Sequence, residues 1–436
     1  MKECITVAVA GFGLRGKTYS EFEKLSEGKM KVVAVADIVA EKVEEAAKEY
    51  NISKEMCFTS AEEMLKHPKL ADVMFVTTQD RQHVAQAVKA IEQGYDVLVE
   101  KPISPDLEEC LELQSKAHEY NKIVTVCHVL RYTKFFEIIK KCIDSGKLGE
   151  IRTIQAIENV GYYHQAHSFV RGNWRNSIET SPMILAKSCH DMDILQWLMG
   201  KRCEKISSFG SLSLFKEENA PEGSTDRCLE GCKCKESCPY DAEKIYISDK
   251  LTGIRHGAKW PCEALTLNPS EDRVYEALKT GPYGRCVYKC DNDVVDHQVV
   301  IMQFEDGSTA DFTMTAFTEK CSRQIKVMGT MGEIIGDLEN NIIKICYFGK
   351  EAEIINVNEV TSSSTSKLGG HGGGDEGLIR NTVDVFLDNN PENNLTSIDA
   401  SVHSHVMALA AEYSRINKGT LVDLTDFIKK EQYKEL

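Results

Sequence analysis

No stretch of this 436-residue chain approaches the ~18 consecutive apolar residues that a membrane-spanning helix requires. Positive charge is also in deficit: 52 Lys and Arg stand against 67 Asp and Glu, a formal net charge of −15. Nucleic acid and anionic membranes both recruit basic surfaces, so neither is an expected partner. The opening MKECITVAVAGFG lacks the cleavage pattern of a secretory leader. Its short apolar run passes straight into a glycine motif and is expected to be a first strand. Sixteen cysteines without a leader are expected to be reduced thiols in the cytoplasm. No internal repeat is evident. What remains is a soluble, globular composition, 42% hydrophobic and 27% charged, long enough for two or three cores.

From residue 1 to about 130, short β-rich runs alternate with helical patterns, the signature of βαβ units. ITVAVAG, KVVAVAD, DVMFVTT, DVLVEK and IVTVCH are almost continuously apolar, as strands covered on both faces should be. EKVEEAAKEY, RQHVAQAVKAIEQG and DLEECLELQSKAHEYN supply helices between them. Near Gly149 strands begin to follow one another, with hairpin turns expected at EDGS and GTMG. The expected fold class is α/β. An N-terminal Rossmann domain (1–130) precedes an α/β domain (131–436) with a large, mostly antiparallel open sheet. A helix over Met183–Met199 should pack on that sheet. Residues 216–290 read as an irregular, cysteine-rich insertion. TSSSTSKLGGHGGGDEG (361–377) reads as a flexible loop before a helix that Asp375 could cap, and a last helix should end at Gly419.

GFGLRG (Gly11, Phe12, Gly13, Leu14, Arg15, Gly16) is a G-x-G-x-x-G run between a strand and a helix, where glycines permit a tight turn and close approach of a pyrophosphate. A purely structural turn has the same letters. Asp37, 21 residues after Gly16 at the end of the second strand, favours the dinucleotide reading. A carboxylate there accepts hydrogen bonds from ribose hydroxyls and repels a 2′-phosphate. Ile38 follows in place of an arginine that could hold such a phosphate, so NAD is favoured over NADP. EKP (Glu100 to Pro102) closes the fourth strand and puts Lys101 at the carboxyl edge of the sheet, where ligands bind in open α/β folds. A solvated lysine in a strand-to-loop turn has the same spacing.

GFGLRG, Asp37, TTQDRQH, EKP, a histidine–aspartate helix, GTMGEI and the SVHSHVMALAAEYSRINKG ending occur together and in this order. In that combination, over nearly its whole length, the chain resembles the glucose–fructose oxidoreductase, inositol dehydrogenase and rhizopine-catabolism (Gfo/Idh/MocA) superfamily. The resemblance implies NAD(P)-linked redox chemistry on sugars, polyols or their derivatives, by a homodimer or homotetramer. It implies that Lys101 is the active-site lysine, followed by a cis proline. It places Thr77, Thr78, Gln79 and His83, with Glu100 and Lys101, beside the cofactor, and Arg131 and Arg175 near the cleft. His83 and the two arginines also suit structural roles.

SPMILAKSCHDMDILQWLMG (Ser181 to Gly200) carries the other half of the implied site. The superfamily pattern is an acid, three residues, a histidine, two residues, then an aspartate. His190 and Asp193 fit it, but Ala186 stands where the acid belongs, with Lys187 beside it. Lys187, His190, Asp191 and Ile194 share one side of a helix, so the polar three could line a cleft, while Asp193 suits a structural bond. Removing a hydroxyl proton wants a base with pKa near the operating pH, which suits His190. A fixed cation, Lys101, would stabilise the alkoxide, and Lys187 would lower the His190 pKa or share the cation's role. Spacing alone also allows a buried histidine satisfied by Asp193, with Lys187 paired to Asp191.

RCLEGCKCKESCPY places Cys228, Cys232, Cys234 and Cys238 within eleven residues, followed by Cys262, Cys286 and Cys290. Such thiols can hold a structural zinc ion, pack a loop as free thiols, or pair on oxidation, and the spacing commits to none of these. GGHGGGDEG either carries His371 to the substrate or is a linker. The expected activity is NAD-dependent oxidation of a secondary hydroxyl of a sugar, polyol or glycoside to a ketone. The alternatives are a redox-neutral glycosidase working by transient oxidation and elimination, and a sugar-sensing binding protein without catalysis. Non-carbohydrate substrates such as biliverdin or a dihydrodiol also fall within the superfamily.

Overall fold

Six short strands build the first sheet of the computed structural model, which describes residues 2–257, 259–360, 368 and 371–429. They are β1 (Ile5–Ala10), β2 (Met30–Ala36), β3 (Cys57–Phe58), β4 (Val73–Val76), β5 (Asp96–Val99) and β6 (Val124–Val126). All pair in parallel in the order β3-β2-β1-β4-β5-β6. The order reverses between β1 and β4, which opens a crevice at the carboxyl ends of those two strands. Every side chain of β4 is buried, and β1 is nearly so, because helices cover both faces. Two elements that the sequence pattern did not mark are the two-residue β3 and the amphipathic helix Lys134–Asp144.

The second sheet contains β7 (Ile151–Asn159), β8 (Cys203–Ser211), β9 (His297–Phe304), β10 (Thr309–Thr315), β11 (Ser322–Gly329), β12 (Gly332–Asp337), β13 (Ile342–Tyr347), β14 (Glu353–Asn356) and β15 (Val422–Asp423). Their order is β14-β13-β12-β11-β7-β10-β9-β8-β15. Only β7 and β10 run parallel; the other pairs are antiparallel, with turns at EDGS and GTMG. Alternation decides which face is covered. Ile206, Val300, Met302 and Phe312 are buried, whereas Phe209, Val299 and Ile301 on the other face are exposed.

Three expectations need correction. The helix over Met183–Met199 is two helices, Met183–Ala186 and Cys189–Met199, broken at Lys187 and Ser188. Asp375 does not cap helix Gly374–Asp388, whose Gly373 cap makes no side-chain bond; its carboxylate turns to Arg15 and His371 instead. The cysteine-rich insertion is not merely irregular. Tyr240, Ile245, Tyr246, Val274, Leu278 and Val287 give it a core of its own, against the helix Glu271–Thr280. Of the expected flexible loop, residues 361–367 and 369–370 lie outside the described residues, and His371–Gly373 form a 3₁₀ turn.

Candidate active site

At the end of β1, Gly11 turns the chain with φ +91°, and a Cβ there would lie 2.7 Å from the Thr77 carbonyl oxygen. At Gly16 a Cβ would lie 2.2 Å from the Gly11 carbonyl oxygen, so glycine is needed for the loop to close on β4. Gly13 differs: a Cβ there would meet nothing within 4 Å, so its missing side chain leaves open space over the loop. Asp37 Oδ2 accepts from the Phe12 amide at 2.8 Å and Oδ1 from the Val39 amide at 2.9 Å, which fastens the loop to the end of β2. Thr77 Oγ1 donates to the Gly11 carbonyl at 2.6 Å. Gly11, Phe12, Gly13, Asp37 and Thr77 thus surround one crevice, with free space for a pyrophosphate and a carboxylate at its ribose end. These residues fit a dinucleotide. Leu14 and Gln79 are exposed beside it, while Thr78 Oγ1 donates to Gln86.

Arg15 leans away from that space. Its Nε bonds Glu100 Oε1 at 2.9 Å, and its Nη2 reaches Tyr19 and Asp375 Oδ1, each at 2.5 Å. Glu100 also accepts from the Tyr19 hydroxyl and, through Oε2, from the Lys101 amide at 2.9 Å. Burial pushes the Glu100 carboxyl up, but Arg15, Lys101 and these bonds outweigh it and hold it below the usual range. The Lys101–Pro102 bond is cis. Buried His83 braces this turn, with Nδ1 2.8 Å from the Pro102 carbonyl and Nε2 3.2 Å from that of Thr78.

Across the crevice, Lys101 Nζ donates to the Ala186 carbonyl at 3.1 Å. The helix break just beyond frees Lys187 to leave the helix face, and its Nζ pairs with Glu158 Oε1 at 3.1 Å. Glu158 on β7 stands directly opposite Arg323 on β11 in the strand register. Arg323 Nε is 2.8 Å from Glu158 Oε2 and 2.8 Å from Asp191 Oδ1, and Nη2 reaches Asp191 Oδ2 at 3.2 Å. Lys187, Glu158, Arg323 and Asp191 therefore form a network of two partly buried cations and two buried acids. Lys187 is paired with Glu158, not with Asp191.

His190 lies beyond this network. Its Nδ1 is buried with no partner among the described residues. Its ring packs 5.7 Å from His128 and 6.2 Å from His371. Burial first, and then the charge of Lys101 rather than the expected Lys187, push its pKa well below the usual histidine range. The imidazole is therefore neutral, and a weaker base than the pKa match expected from the sequence. His128 in turn packs 5.6 Å from His405. The His405 Nε2 accepts from the Ile103 amide and its Nδ1 donates to the Ser401 carbonyl, each at 2.8 Å; burial pushes it down to about 3. Four imidazoles thus run in a row from the helix Ile398–Ile416 to the 371 turn, where His371 Nδ1 lies 3.1 Å from Asp375.

Two residues expected near the cleft are engaged elsewhere. Arg131 makes paired 2.7 Å bonds to Asp193 and bonds the Leu395 carbonyl, beneath the Trp197 ring. Arg175 holds Asp291 with two 2.8 Å bonds and Glu179 at 2.9 Å, at the base of the insertion. Sequence reasoning missed Glu158, Arg323, His128 and His405, and read Asp375 only as a helix cap. For two of them a signal exists: Glu158 is in phase with Ile154 and Ala156, and Arg323 with Ile325 and Val327, so each is a charge on the apolar face of a strand. The insertion adds a wall: Trp260, 37% exposed, lies 5.0 Å from the His164 ring. Burial and then the Lys187 charge push His164 well below its usual range.

Residues 5–128 match the oxidoreductase family GFO_IDH_MocA, NAD-binding Rossmann fold, and residues 140–423 match its C-terminal alpha/beta domain. YteT of Bacillus subtilis (strain 168) is 24% identical over 343 residues, 76% of this chain and 75% of that protein. The 2,7-anhydro-N-acetylneuraminate hydratase of Mediterraneibacter gnavus is 27% identical over 203 residues, 47% of this chain and 51% of that protein. An inositol dehydrogenase homolog from Azotobacter vinelandii, solved with NADH and myo-inositol, superposes with a TM-score of 0.66 at 15% identity, covering 97% of this chain and 98% of that one. At that identity the likeness is one of fold. Among the described residues no helix is long and apolar enough to cross a membrane.

Proposed function

The chain belongs to the NAD-binding Gfo/Idh/MocA oxidoreductase family, and from that premise we propose that it oxidises a secondary hydroxyl of a sugar, polyol or glycoside to a ketone. The observation that carries this reading is a neutral, buried His190 that feels the charge of Lys101, at the crevice beyond the carboxyl ends of β1 and β4. Bound NAD supplies the hydride acceptor; Asp37 favours it over NADP. Lys101, held at the Ala186 carbonyl, keeps two further N–H groups for a substrate oxygen, and its fixed charge favours an alkoxide there. With Nδ1 sealed from solvent, His190 Nε2 is the nitrogen that takes the hydroxyl proton. Lys187, tied to Glu158, holds the helix break that presents the Ala186 carbonyl to Lys101. His371, 41% exposed at its side chain, lies between His190 and solvent.

Initial rates of NADH formation with a panel of sugars, polyols and glycosides test this reading. Ligands that bind saturably without any NADH forming would overturn net oxidation. A second reading, the redox-neutral one, is supported by the hydratase relative and by His371 as a second acid or base beside His190. It predicts exchange of solvent deuterium into the carbon next to a transient ketone, with no accumulation of NADH. We further propose a homodimer or homotetramer built on the open sheet face, where Phe209, Val299 and Ile301 are exposed.

A further inference from the structure

The turn Gln165–Arg171, packed against the insertion, ends in a fully buried guanidinium that forms no salt bridge among the described residues. Arg171 is 0% exposed. Its Nε donates to the Arg285 carbonyl and Nη2 to the Tyr240 carbonyl, each at 2.7 Å; Nη2 also lies 3.6 Å from Cys228 Sγ. Its Nη1 has no partner among the described residues, and the ionisable groups that act on it most are thiols and a tyrosine. A buried cation whose own bonds go only to carbonyls and a thiol is costly, so negative charge gathered on its open Nη1 side would stabilise it. The recess that Arg171 lines is also lined by Cys228, Cys232, Cys234, Cys238 and Cys286, with Asp241 the one carboxylate among its lining residues.

We infer that this recess is a metal site, in which four of these five thiolates bind one zinc ion and Arg171 offsets the charge of the centre. Four thiolates on a dication leave a net double negative charge, and one guanidinium halves it. The four thiol protons are released to solvent on binding, so no redox partner is needed. The backbone already brings the ligands together. Arg227 and Arg285 form a β-bridge, with the Cys228 amide on the Gly284 carbonyl and the Cys286 amide on that of Asp226, which sets Cys228 beside Cys286. Cys232, Cys234 and Cys238 lie on consecutive turns outside any helix or strand. Among the described residues no three donors already stand around one point. Binding therefore draws the sulfurs inward by rotation between staggered χ1 positions, which turn residues allow. A tetrahedral thiolate site needs four sulfurs at ~2.3 Å from the ion. The ion would staple an insertion that carries Trp260 to the edge of the cleft.

The test is metal analysis of the full chain purified under reducing, anaerobic conditions from zinc-supplemented cells. About one zinc per chain is expected, without acid-labile sulfide. Exchange with Co²⁺ should give thiolate-to-cobalt charge-transfer absorption in the wild-type protein, a readout independent of any variant. Cys228→Ser and Cys286→Ser should each lose the metal, whereas Cys4→Ser, just before β1 and remote in sequence from the recess, should keep it. Less than ~0.1 equivalent of metal in the wild type, with no Co²⁺ band, overturns the site. So does zinc that survives both cysteine substitutions, or iron with stoichiometric sulfide.

Discussion

Lys101 Nζ reaches across the crevice to the backbone carbonyl of Ala186, 3.1 Å away. The lysine follows the fifth strand of the first sheet, and the alanine ends a short helix packed on the helix Ile398–Ile416. One hydrogen bond therefore joins the edge where a nicotinamide would lie to the segment that carries His190. Replacing Ala186 would leave this bond intact, since it uses the backbone. Replacing Lys101 would not.

Removal of the imidazole should show in turnover and not in cofactor binding. His190→Ala is expected to lower kcat by about 10²–10⁴-fold, the range for loss of a general base. NAD affinity, measured by fluorescence titration, should stay near wild type, because Asp37 and the glycine loop are untouched. Turnover within a few-fold of wild type would exclude His190 as the base.

A histidine held neutral by burial and a neighbouring cation gives an unusual pH profile. Activity should stay flat as pH falls through the ordinary histidine range near 6.5, and drop only below it. Stability follows the same sign. His167 and His405 are pushed down to about 3 by burial, so between about 3 and ~6.5 the unfolded chain binds more protons than the folded one. Their contribution is fully present above ~6.5 and is lost as pH falls toward 3. Thermal midpoints at pH 7.5 and 4.5 should differ accordingly, with the acid sample lower.

Arg323→Met should be more damaging than an ordinary surface change, because it leaves buried Asp191 without its cation and buried Glu158 with Lys187 alone. The expected cost is about 3–5 kcal/mol in chemical denaturation. Adding Asp191→Asn to that variant should recover part of the loss, since one stranded charge disappears. A loss below ~1 kcal/mol would mean that the network is solvated.

Cofactor choice should turn on Asp37. Asp37→Ser removes the carboxylate that would repel a 2′-phosphate, and is expected to lower the NAD-to-NADP ratio of kcat/KM by about tenfold or more. Some loss of overall affinity should accompany it, because Asp37 also holds the Phe12 amide. An unchanged ratio would place the discrimination elsewhere.

The open sheet face offers a test of assembly. Val299→Lys with Ile301→Lys puts two charges among exposed apolar residues and should shift the mass measured by light scattering toward a monomer. An unchanged oligomer would place the interface elsewhere.

Periodicity and spacing by themselves determined much of this protein. Continuous apolar runs marked the parallel strands, because a sheet covered on both faces leaves no polar side. Alternation and turn residues marked the second sheet, and the order of GFGLRG, Asp37, EKP and the His190 helix marked the superfamily. Local letters could not decide what depends on partners far away in sequence. Lys187 and Asp191 look like a helical pair at four residues' spacing, yet a break at Lys187 and Ser188 and the cross-strand pair Glu158–Arg323 separate them. Arg131 and Arg175 look available until Asp193 and Asp291 claim them. Asp375 reads as a helix cap, but Arg15, 360 residues away, draws its carboxylate inward. Only the tertiary structure decides which charges are already neutralised. The interaction energy of a charge depends on what surrounds it in space, and the sequence records only what precedes and follows it.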